Sequence, residues 1–185
     1  MANRSAVRAP ERKPARAASE PAEPPAAAGP VVPVWLPWLI MVISVVGIGI
    51  SAYLTVVHYA KLPLACPTNG IVNCALVTSS PYSVVGTTSI PITVPGIGWF
   101  VVSGALAAAS LLAASGRLRY SQLRIAGAHL IWAVLGLLFV LYLLSVEALR
   151  LHHYCEWCSG VHVLVLITFI LALVQWQRLM AARWA

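Results

Sequence analysis

Four apolar runs dominate the chain, at 34–58, 97–115, 125–148 and 158–176, and polar residues, prolines and charges collect between them. Each run is near the roughly 20 residues that a helix needs to cross a hydrocarbon core. Within lipid the backbone N–H and C=O groups have no water to bond, so each run must satisfy them internally as a helix. The pattern predicts an all-α integral membrane protein, a four-transmembrane-helix bundle forming one domain over 34–177. Gly47, Gly49, Gly104, Gly127 and Gly136 fall inside the runs. Small residues there let helices approach closely.

Composition strengthens this picture. Only 9% of the 185 residues are charged and 60% are hydrophobic, against about 25% charged in an average soluble domain. The net charge of +7 does not point to nucleic acid, because the basic residues form no patch with interleaved aromatics. They mark topology instead. Of twelve Lys and Arg, five lie before the first run, three between the second and third, and two after the fourth. Lys61 and Arg150 alone remain for the other two loops. By the positive-inside rule both termini are cytoplasmic, and the loops at 59–95 and 149–154 face outward.

Residues 1–33 are rich in Ala, Pro, Arg and Glu and hold no aromatic residue. Such a stretch cannot bury enough apolar surface to offset its ordering entropy, so a disordered cytoplasmic tail is expected. Glu11, Glu20 and Glu23 argue against an organellar transit peptide. The first run is too long for the core of a cleaved signal peptide and is expected to stay as a helix. Residues 178–185 read as a short cytoplasmic C-terminal tail.

The outward loop at 59–95 is long for a connection in a compact bundle, where about 2–8 residues suffice. It carries Cys66 and Cys74, then a polar stretch with Ser80, then Pro91 and Pro95. A short interfacial helix following Cys74 and capping the bundle is expected. The other two cysteines, Cys155 and Cys158, lie at the other outward loop and the start of the fourth run. All four thus fall on one side, in a compartment where disulfides form and persist.

Cys155-Glu156-Trp157-Cys158 is a C-x-x-C motif opening a helix. That spacing puts both sulfurs on one side of the first turn, where unpaired N–H groups and the positive helix end favour a thiolate. A stabilised thiolate leaves readily, so a disulfide there exchanges readily. Cys158 sits one turn deeper, within reach of an apolar ligand head in the membrane. Two other uses of the motif remain open. A structural disulfide closing so short a loop removes little unfolded-state entropy. A metal site would draw on His152 and His153 beside the thiolates. Cys66 and Cys74, eight residues apart, suit either a loop staple or a second exchanging pair. Glu147 is expected to pair with Arg150 or a histidine.

The spacing Cys66 to Cys74, Ser80 six residues on, Pro95-Gly96 leading into the second run, and C-x-x-C opening the last resemble the vitamin K epoxide reductase family. The resemblance covers 34–176. It implies four helices around a quinone, menaquinone or ubiquinone, as electron acceptor. It implies an extracytoplasmic thioredoxin-like oxidase as partner, and, by likeness to the bacterial branch, a bacterial inner membrane. Carried over residue by residue, Cys66 would exchange with the partner, Cys74 would attack Cys155, and Cys158 would reduce the quinone. Ser80 would belong to the polar cap of that site. Vertebrate members have a tyrosine four residues after the last cysteine, where this chain has His162. Imidazole can also donate a hydrogen bond or a proton to a reduced quinone oxygen. The alternatives are reduction of vitamin K or its epoxide, and a membrane metal-binding protein.

Overall fold

A computed structural model describes residues 32–66, 69–118 and 121–184. The expected N-terminal tail at 1–33 lies outside the described residues except for Val32 and Pro33. Helix α1 spans Trp35–Ala60, α2 Cys74–Ser79, α3 Thr93–Ala114, α4 Gln122–Val146 and α5 Glu156–Trp184. A single 3-10 turn, Pro81–Ser83, follows α2, and α4 runs on into a π-helical turn, Glu147–Leu151. The described residues form no strand, only two isolated bridges.

Four of these helices are long and apolar enough to cross a membrane: α1, α3, α4 with its π turn, and α5. The shortest, α3, has 22 residues, which at about 1.5 Å per residue exceeds a core of about 30 Å. Burial inside the bundle reaches only 33% of residues in the best-packed span. The remaining surface is apolar, as in Val45 (69% exposed) and Ile131 (66% exposed). Only lipid suits such an exterior, and the bundle is a multi-pass membrane domain.

Helix ends depart from expectation in informative ways. The second run was expected to open at 97, with Pro91 and Pro95 in the loop, yet α3 starts at Thr93 and holds Pro95 in its first turn. Proline is tolerated there because the first N–H groups of a helix have no internal partner anyway. The residues from 178 onward, expected as a tail, continue α5 as far as Trp184. Val32 is buried against Leu36, Ile40 and Ala107.

Close packing explains most of the small residues. A Cβ on Gly47 would fall inside the Phe100 ring, and one on Gly136 inside the Trp99 indole. Gly49 is different: a Cβ there would meet open space, so this glycine makes no close helix approach. Trp99 and Trp132 tie α3 to α4 reciprocally, each indole N–H donating to the other's carbonyl at 3.3 and 3.1 Å. The buried Gln175 amide donates to Ser110, joining α5 to α3. The expected short helix after Cys74 is present as α2, capped by the Asn73 side chain, which accepts from the Leu76 N–H at 3.0 Å.

Candidate functional site

Cysteines from two distant loops meet at one end of the bundle. Past α1 the chain extends through Leu64 to Cys66, which is joined by a disulfide to Cys74 at the first turn of α2, Cα to Cα 6.2 Å. Cys155 immediately precedes α5 and Cys158 lies in its first turn; both are free thiols. Cys74 and Cys155 are fully buried, and they pack in one cluster with Val77, Leu151, Trp157, Cys66 and Cys158.

Two sets of hydrogen bonds hold the loops in register. Asn73 N–H donates to the Tyr154 carbonyl at 3.0 Å, and Tyr154 N–H donates to the Ile71 carbonyl at 3.0 Å. The Trp157 indole N–H donates to the Ala65 carbonyl at 2.9 Å. Each tie involves residues immediately before a cysteine: Asn73 and Tyr154 precede Cys74 and Cys155, while Ala65 and Trp157 precede Cys66 and Cys158. Tyr53 of α1 holds the Trp157 ring at 5.1 Å between centroids.

Within the C-x-x-C turn the Cys155 sulfur accepts from the Cys158 backbone N–H at 3.3 Å. The Cys155 thiol is held below its ordinary range, chiefly by the hydrogen bond from the Cys158 side chain; burial and any charge on Glu147 work against this. A thiolate on Cys155 is the outcome expected of a sulfur lodged at a helix N-terminus.

Two cavities border Cys158. The larger, of about 300 Å³, opens between α1, α3, α4 and α5 with almost wholly apolar walls that include Trp99, Phe139 and Val161. The smaller, of about 60 Å³, lies against α2 and the 3-10 turn and is bordered by His58, Ser80, Tyr82 and Glu147. Cys158 and His162 border both. The buried His162 Nδ1 has no hydrogen-bond partner. Apolar walls with one idle imidazole nitrogen suit a planar, largely apolar ring that carries an oxygen acceptor.

The four cysteines singled out by sequence therefore come together, with His162 beside them. Ser80 borders the smaller cavity and not the larger, and its hydroxyl donates to the Val77 carbonyl at 2.8 Å, closing α2. Among the described residues no group of three or more His, Cys, Asp and Glu is placed to hold a metal. His152 instead ends the π turn in a left-handed conformation, φ 55°.

Glu147 does not form the expected pair with Arg150 or a histidine. No ion pair engages it among the described residues; it is 4% exposed, and its Oε2 is buried with no hydrogen-bond partner. An acid inside an apolar run was signal enough to mark it as functional. The residues that tie the loops, Asn73, Tyr154 and Trp157, carry no comparable signal, because their partners are backbone carbonyls.

No curated protein matches the chain. A family model, described as the vitamin K epoxide reductase family, matches residues 38–173. That match runs from the first turn of α1 well into α5 and takes in all four cysteines and both cavities, so the chain belongs to the vitamin K epoxide reductase family of membrane oxidoreductases.

Proposed function

We propose that this protein takes electrons from an extracytoplasmic thioredoxin-like dithiol protein and passes them through its two cysteine pairs to a membrane quinone, supporting disulfide formation in exported proteins. The observation that carries this reading is the packing of the Cys66–Cys74 disulfide against the Cys155 and Cys158 thiols, with Cys158 bordering the apolar cavity.

Cys66 is part-exposed while Cys74 is buried, so an incoming partner thiolate attacks the Cys66 sulfur. Cys74 leaves as thiolate, and the partner's second thiol closes the partner's disulfide and frees Cys66. The Cys74 thiolate then attacks Cys155 of a Cys155–Cys158 disulfide, and Cys158 leaves. Cys66 attacks Cys74, which restores the outer disulfide and frees Cys155. Two electrons now rest on the inner pair, the redox pattern found in this structure. Closing the inner disulfide releases two electrons and two protons, which a quinone bound in the larger cavity takes up to become quinol. His162 orients that acceptor by a hydrogen bond and excludes water jointly with the apolar walls, and Ser80 closes the polar cap.

In this reading the membrane is the bacterial inner membrane, both termini are cytoplasmic, and the cysteines face outward. The deciding experiment is an anaerobic titration of the purified, reduced protein with a soluble quinone, following quinol and mapping thiols by alkylation and mass spectrometry. Quinol formation in step with linkage of Cys155 to Cys158 is expected. Persistence of all four thiols would refute the relay. The second reading, reduction of vitamin K or its epoxide, is favoured by the family match; turnover of the epoxide at a rate comparable to quinone would put it first.

A further inference from the structure

Resting on the quinone reading above, we propose that Glu147 is the proton donor coupled to the inner cysteine pair, yielding a proton as Cys155 and Cys158 join and regaining one when Cys74 reopens them.

Glu147 opens the π turn that ends α4; it is buried and borders the smaller cavity with Cys158 and His162. π turns inside helices are frequent at functional sites. Arg150, the nearest cation in sequence, is exposed and makes no pair with it. The other titratable groups bordering this cavity are His58 from α1, Tyr82 from the 3-10 turn, and Cys158 and His162 from α5. A buried carboxyl without a cation holds its proton while a thiolate charge lies beside it, because a second unpaired charge in a low-dielectric site is costly. The buried Oε2 of Glu147 and the buried Nδ1 of His162 both lack partners, and both residues border one cavity, so two proton-carrying groups with free capacity lie beside it.

One further relationship couples this carboxyl to the redox state. The Cys155 thiol is held down chiefly by the hydrogen bond from the Cys158 thiol, and a charge on Glu147 opposes that. Two negative charges in one buried site exclude each other, so the site carries one at a time. With the inner pair reduced, Cys155 is the thiolate, Cys158 the thiol and Glu147 the acid. Joining the sulfurs removes the thiolate charge and lets Glu147 ionise. The balance closes: two electrons leave the sulfurs, one proton leaves Cys158 and one leaves Glu147, and quinone becomes quinol. The net charge of the site stays at minus one. His162 borders both cavities and carries the Glu147 proton from the smaller to the larger. The reverse balance holds when the outer dithiol delivers two electrons and two protons. One proton then goes to Cys158 and the other to Glu147.

The test has two parts. Infrared difference spectra of the wild-type chain, reduced against oxidised by a chemical oxidant without quinone, should show an acid carbonyl stretch in the reduced state that disappears on oxidation. The Glu147→Gln variant should lack this signal. In a single anaerobic turnover with a soluble quinone, Glu147→Gln should form quinol about 100-fold more slowly, as for loss of a general acid. The wild-type spectrum needs no variant, so a variant that fails to fold leaves the test intact. A wild-type chain that makes quinol with no redox-dependent carboxyl signal overturns the role of Glu147 alone. One that closes Cys155–Cys158 without making quinol overturns the quinone reading.

Discussion

The Trp157 indole donates its N–H to the Ala65 carbonyl across 2.9 Å, linking the residue before Cys158 to the residue before Cys66. The bond fixes the distance between two chain segments that must meet for one disulfide to reduce the other. It also gives the indole a partner at the edge of the bundle, as a half-buried tryptophan needs.

Trp157→Phe should therefore keep the ring packing against Tyr53 and lose only the tie to the loop. A hydrogen bond of this kind contributes about 1 kcal/mol. Transfer between the outer and inner pairs should slow by about fivefold on that energy. Rapid acid quenching followed by alkylation would measure it, and an unchanged transfer rate would show that the Asn73–Tyr154 bond suffices alone.

Alkylation of Cys155 against pH should show reaction continuing below the ordinary thiol range, since its thiol is held down chiefly by the Cys158 side chain. Because that shift is a depression, the reactive thiolate is present above the lowered value and is lost as pH falls through it. Cys158→Ala removes the side-chain donor while leaving the backbone N–H at 3.3 Å. Its alkylation curve should move to higher pH. A curve that stays in place would assign the depression to the helix N-terminus rather than to Cys158.

Gly136 has no room for a side chain because the Trp99 indole occupies that place, and Trp99 forms part of the larger cavity's wall. Gly136→Ala should push the indole toward the cavity. Overpacking of this kind costs about 1–3 kcal/mol. The expected result is a lower melting temperature and a raised quinone KM. Reduction of the Cys66–Cys74 disulfide by an external dithiol should proceed as before, because neither of these cysteines borders the cavity.

The helices were legible because lipid leaves the backbone one way to satisfy its hydrogen bonds, so run length alone located them. The meeting of the four cysteines at one end of the bundle was legible from loop position. The start of α3 was not, since Pro95 reads as a helix breaker unless its place in the first turn is known. Gly49 could not be told from Gly47 by residue type, because the difference lies in whether Phe100 faces it. For Glu147, near the outer end of the third run, residue type suggests a pairing with Arg150 or a histidine. The π turn at the end of α4 instead leaves Arg150 outside and Glu147 within.

His162 separates the chemistry of the acceptor from the chemistry of the sulfurs, since it borders both cavities but has no thiol to exchange. Removing its donor should leave thiol exchange intact and impair only the final transfer. For His162→Phe, which keeps a flat ring without a proton, quinol formation should fall by about 100-fold, the lower range for losing a positioned acid or base. His162→Tyr restores a hydrogen-bond donor in a ring of similar reach and should recover much of that rate. The pair of variants distinguishes proton donation from packing: equal loss in both would mean that the imidazole serves by its shape. Measuring quinol formation and the Cys66–Cys74 exchange in the same samples checks that the defect lies at the acceptor and not in the relay.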